Sequence, residues 1–121
     1  MAYLVIVDRG YRGSVEARFF DALYGVLMLG DQLGGMDVVL RGTAVTAAVA
    51  DDGPPPSVFD PLPDPRRPVR ELVDKGVAVY VDEPGLAAFG LDATALLPGV
   101  TGMDTAELAG RWADYDGVWF L

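Results

Sequence analysis

Three stretches of this chain, Tyr3-Leu4-Val5-Ile6-Val7, Met36 to Leu40 and Val77 to Val81, are apolar almost without interruption. A strand with one wet face alternates apolar and polar residues. A solid run of β-branched and aliphatic residues belongs to a strand buried on both faces, and such strands occur in parallel sheets covered by helices. Shorter runs at Leu97 to Thr101 and Val118 to Leu121 extend the series. Segments with helical spacing separate the runs. The expected fold is therefore α/β, a three-layer α/β/α sandwich around a mostly parallel sheet of about five strands. The order of the strands is not fixed by the sequence.

The longest intervening segment opens at Ser14, a good N-cap, with Glu16 in the first turn, and closes near Leu33 at Gly34-Gly35. Phe19, Leu23, Val26 and Leu27 form one apolar stripe, and Phe20, Tyr24 and Leu27 form a second beside it. This arc is wider than packing against one sheet requires. It fits either a deeply buried helix or one whose flank, Phe19, Phe20, Leu23, Tyr24 and Leu27, is a subunit interface. Thr43 is positioned to cap a short helix over Ala44 to Val49. Asp51 to Arg67 is rich in Pro and Asp, which excludes a regular element and predicts a surface loop within one domain spanning 1–121. Pro68 suits the first turn of a helix carrying Val69, Leu72 and Val73 and ending at Lys75-Gly76. Further short helices are predicted over Pro84 to Phe89, ending at Gly90, and from Asp104 or Thr105, with Leu108 and Trp112 on one face. Trp112 and Phe120 are expected in the core, with Trp119 on the opposite face of the last strand.

Composition removes several functions. With 18 acids against nine bases and a net charge of −9, the chain lacks the clustered cations that phosphate backbones require, so no nucleic-acid partner is expected. Arg66, Arg67 and Arg70 read as local pairing or a solvated helix start, with an anion or acidic partner as the alternative. There is no cysteine and no histidine, hence no thiol nucleophile, disulfide, histidine base or Cys/His zinc site. Carboxylates alone remain for magnesium or calcium. No basic segment followed by an apolar one opens the chain, and no run reaches the roughly 20 residues of a membrane span. A cytoplasmic protein with no membrane partner is expected.

Ligands of parallel α/β sheets sit beyond the carboxyl ends of the strands. Asp8 to Gly13, Gly42-Thr43 and Asp82-Glu83 follow the first three strands. Asp8, Tyr11, Arg12, Thr43, Asp82 and Glu83 are therefore the candidate pocket, and a close approach of Asp8 and Asp82 would suit a divalent metal or a shared proton. The glycines after Asp8 match neither a dinucleotide nor a P-loop fingerprint. A phospho-receiver is a weaker fit: Asp8 is followed by Arg9 rather than by an acid, and no lysine follows Lys75.

Gly76-Val77 and its strand, Ala87-Ala88-Phe89-Gly90-Leu91-Asp92 and Ala113-Asp114-Tyr115-Asp116 together resemble the DsrE/DsrF-like sulfur-relay family. The opening strand and the helix with Asp21-Ala22-Leu23 share the likeness, and the closing segment looks most like the TusC-type branch. The resemblance implies a small α/β/α domain that assembles as a homotrimer, a homohexamer or a hetero-oligomer of related subunits, without a cofactor. Cysteine-bearing members carry sulfur as a persulfide on a thiol after the third strand. Asp82 stands at the corresponding position and cannot do so. The expected role is a non-catalytic subunit. The alternatives are a small-ligand or divalent-metal module around Asp8 and Asp82, and an enzyme lacking Cys and His, for which no residue pair specifies a reaction.

Overall fold

The computed structural model describes residues 2–8, 26, 35–50 and 66–120. Tyr11 and Arg12 of the candidate pocket, Phe19, Phe20, Leu23, Tyr24 and Leu27 of the candidate interface, and residues 51–65 of the Pro/Asp segment lie outside these.

The strands are β1 (Tyr3–Val7), β2 (Met36–Leu40), β3 (Val79–Asp82), β4 (Val100–Met103) and β5 (Gly117–Phe120). They form one five-stranded sheet in the order β4-β3-β2-β1-β5, and every pair is parallel. The α-helices are α1 (Arg66–Asp74), α2 (Glu83–Ala87) and α3 (Thr105–Gly110), with 3-10 segments at Gly42–Ala48, Ala93–Ala95 and Trp112–Asp114. The α/β architecture read from the apolar runs is the one observed.

Alternation along the strands divides the core between two faces. On the first, Val5, Val7, Met36, Val38, Leu40, Val79 and Val81 pack against Val26, which is helical, and against Val45, Val69, Leu72, Leu86 and Leu97. On the second, Leu4, Ile6 and Val39 pack against Met103 and Leu108, with Tyr80, Trp112, Tyr115 and Val118 at the margin. Among the described residues, the helices preceding β4 pack on the first face, and α3 on the second.

Several boundaries differ from the sequence reading for local reasons. β3 begins at Val79 rather than Val77, because the Val77 amide is spent on the end of α1. It donates to Leu72 O at 3.0 Å while Gly76, at φ +83°, donates to Val73 O, the paired bonds of a glycine C-cap. β4 begins at Val100 rather than Leu97, whose amide donates to Ala48 O at 2.8 Å. Thr43 is not an N-cap. The 3-10 segment starts two residues earlier, Arg41 occupies the cap position without a side-chain capping bond, and Thr43 lies inside, its carbonyl accepting from Thr46 Oγ1. Asp104 does cap α3, accepting from the Glu107 amide at 2.8 Å. Phe120 is not core: it is 56% exposed. β5 is an edge strand with no neighbour on its outer side, so the ring is left open there and meets Trp112 edge-on at 5.8 Å. Trp119 points to the other face, against Tyr3 at 5.4 Å.

Candidate functional site

A crevice forms at the carboxyl end of a parallel sheet where neighbouring strands send their connections to opposite faces. Here that occurs between β3 and β4. β3 runs into α2, whose Leu86 is buried on the first face, while β4 runs into α3, whose Leu108 is buried on the second. The residues at this switch point touch: Thr105 Oγ1, at the start of α3, donates to Asp82 Oδ1 at 2.7 Å. Glu83 lies over Gly102, where an added Cβ would come within 3.3 Å of its Oε1. The absent side chain at Gly102 leaves Glu83 its room.

The rim continues across the sheet as one row. Val7 is in register with Leu40 and Leu40 with Val81, so the next residues along, Asp8, Arg41 and Asp82, fall side by side with Arg41 in the middle. Neighbouring strands lie about 4.8 Å apart, so the two aspartates are separated by about 10 Å of backbone. The close approach expected of Asp8 and Asp82 is thus replaced by a cation between them. Arg41 Nε donates to Asp8 Oδ1 at 2.7 Å, and its guanidinium lies 5.6 Å from the centre of the Phe120 ring. The hydrogen bond to Asp8 raises the Arg41 pKa above its usual value, and the charges of Asp8 and Asp82 act in the same direction against the cost of desolvation. Thr43, the second residue of the 3-10 segment, is exposed. Among the described residues no three carboxylates gather where they could hold a metal ion.

Of the candidate pocket residues, Asp8 and Asp82 are on this row, and Glu83 sits beside it. Arg41 and Thr105 complete it and, like Phe120 beside Arg41, were not among the candidate pocket residues. The signal for Arg41 was present: a lone charge directly after a solid apolar run sits at a carboxyl strand end. Thr105 carried no such signal, since only the return of β4 beside β3 brings it to Asp82.

At the opposite end of the sheet, the Tyr115 hydroxyl donates to Asp37 Oδ2 at 2.6 Å, and Asp37 Oδ1 accepts from the Ala78 amide at 3.3 Å. Burial, then the bond to Asp37, push the Tyr115 pKa far up from the ordinary phenol value. This group is a fastener between β2, β3 and the segment after α3.

The geometry has solved counterparts. The structure is similar to the YchN protein from E. coli, with a TM-score of 0.76 and 23% identity over 100% of both chains. It is similar to MTH1491 from Methanobacterium thermoautotrophicum, a protein of unknown function, with a TM-score of 0.64 and 18% identity over 96% of both chains. BT1422 from Bacteroides thetaiotaomicron, a conserved protein of unknown function, aligns with a TM-score of 0.66 and 14% identity over 98% of this chain and 94% of that one. These likenesses establish the fold. No functionally curated protein matches the chain. The family model of the DsrE/DsrF-like proteins matches residues 1–120, and the chain belongs to the DsrE/DsrF-like family.

Proposed function

We propose that this protein is a non-catalytic DsrE/DsrF-like subunit that acts through oligomer assembly, as a structural partner in an intracellular sulfur-relay complex. Family membership implies a role related to sulfur relay. The observation that carries the non-catalytic reading is Asp82. It closes β3 at the position the family resemblance aligns with the sulfur-carrying thiol, its carboxylate accepts from Thr105, and the chain has no cysteine to replace it. A carboxylate oxygen cannot accept and release sulfane sulfur as a thiolate does.

Assembly is supported by the exposed aromatics of the edge strand β5. Parallel sheets are buried on both faces. Leu4, Ile6 and Val39 inside the sheet meet that requirement, whereas on the edge strand β5 Trp119, on the first face, is 39% exposed and Phe120, on the second, is 56% exposed. Exposed aromatics on an edge strand are material for an interface.

The native mass of the gently purified protein, with every co-eluting chain identified, tests the proposal. A hetero-oligomer with a cysteine-bearing relative is the expected result. A homotrimer or homohexamer keeps the assembly and removes the relay partner. A monomer at micromolar concentration with no partner in extracts overturns the reading.

A further inference from the structure

At this rim Arg41 is bound to Asp8 and Asp82 to Thr105. Arg41 is held from two directions: Nε is bound by Asp8, and the guanidinium lies against Phe120. These contacts set the plane and direction of a group that otherwise explores many rotamers. Among the described residues no hydrogen bond is made by Arg41 Nη1 or Nη2, so among them the fork that recognises a carboxylate is oriented and has no partner. Beside it, Thr105 takes Asp82 Oδ1, and Oδ2 accepts from no described group. A donor pair and an acceptor thus stand on adjacent strands at one rim, the guanidinium turned toward Asp8 and Phe120 and the Asp82 carboxylate toward Thr105. They lie beside the switch point where α/β sheets bind ligands.

The charges choose between ligand classes. Among the described residues of the row one cation, Arg41, stands between two aspartates, with Glu83 nearby, so these residues carry excess negative charge. A phosphate or sulfate would meet Arg41 but face uncompensated repulsion from Asp82. A metal ion would face Arg41. A molecule carrying both a carboxylate and an ammonium group satisfies both sides: the carboxylate on the Arg41 fork, the ammonium on Asp82 Oδ2. We propose that this rim is a binding site for a small α-amino carboxylate, with Arg41 and Asp82 as its two recognition groups and Asp8, Phe120 and Thr105 as the residues that position them. Binding is non-covalent and involves no bond-making step.

The site shares Asp82 and Phe120 with the assembly reading, but its test reads ligand binding and not oligomeric state. Amide chemical shifts of the full chain are followed while glycine, acetate, methylamine and inorganic phosphate are added separately at matched ionic strength. The expected result is saturable glycine binding with shifts centred on residues 8, 41, 82 and 105, tighter than acetate or methylamine, and no saturable effect of phosphate. Arg41→Gln and Asp82→Asn should each weaken glycine binding about tenfold or more, since each removes a charged hydrogen-bond partner. Arg41→Lys, which keeps the charge but not the fork, should recover only part of the loss. Thermal unfolding of each variant separates a lost site from a lost fold, and Phe120→Leu provides a second variant that loosens Arg41 without changing any charge. Equal affinity for acetate and glycine, or glycine binding untouched by Asp82→Asn, overturns the assignment. So does the absence of a saturable shift with any of the four probes.

Discussion

The hydroxyl of Tyr115 donates to Asp37 Oδ2 at 2.6 Å across 78 residues of sequence, tying the segment after α3 to the second residue of β2. Asp37 is the one polar interruption in an otherwise apolar strand, and it is tolerated because both of its oxygens are used, the other by the Ala78 amide. Tyr115→Phe leaves Oδ2 without this donor. The site is only partly buried, so the expected loss is about 1 kcal/mol by chemical denaturation, the range of an ordinary hydrogen bond. No measurable loss would mean water replaces the hydroxyl at no cost.

The same pair sets a pH dependence. Tyr115 has its pKa raised in the folded chain from the reference value of 10.0, first by burial and then by the bond to Asp37. Above that reference the unfolded chain releases the phenolic proton while the folded chain keeps it. The unfolded state then binds fewer protons, so stability falls as pH rises. This contribution is whole below pH 10 and declines above it. Wild type should lose stability more steeply than Tyr115→Phe in that alkaline window, and parallel curves would refute the assignment.

Gly42 follows Arg41 at φ +55°, and a Cβ there would lie 2.6 Å from the Asp8 carbonyl oxygen. Backbone on both sides leaves no flexible group to yield. Gly90 also has positive φ, at +72°, but an added Cβ meets nothing within 4 Å. Gly90→Ala should therefore cost only the left-handed strain, about 1 kcal/mol, and Gly42→Ala distinctly more. Equal midpoints in urea for the two variants would show that the rim backbone relaxes freely.

Leu86 is fully buried on the first face although α2 is only five residues long. So short a helix has little stability of its own, and this side chain anchors it. Leu86→Ala should cost about 2–5 kcal/mol, the range for a buried leucine. It should also increase amide exchange at 83–90 more than in β1.

Asp104 accepts from the Glu107 amide at the first turn of α3. Asp104→Ala should cost about 1 kcal/mol. Because α3 also presents Thr105 to Asp82, the amide shifts of residues 82 and 105 should move in this variant. Unchanged shifts would show that Thr105 is held by packing and not by the cap.

Sequence patterning disclosed the strands because solid apolar runs have few physical alternatives. It disclosed the ends of α1 and α2 because glycine at positions 76 and 90 is needed for their positive φ. It missed the start of β3, since nothing local says that the Val77 amide will close a helix before it can join a sheet. It misread Phe120 because hydrophobicity reports a preference for burial, while the place of a strand at the edge of the sheet decides whether burial is on offer. Asp8 and Asp82 were visible as strand-end acids, and their relation to each other was not.

What the sequence determined by itself was thus the class of sheet, the residues lining it, the absence of thiol and imidazole chemistry, and the family likeness. These depend on composition and on spacings within a few residues. The tertiary structure alone decided that β5 returns beside β1, that β2 puts Arg41 between Asp8 and Asp82, and that β4 delivers Thr105 to Asp82. Each of these is a pairing between segments distant in sequence, set by which strands share an edge, and no local propensity encodes which neighbour a strand will take.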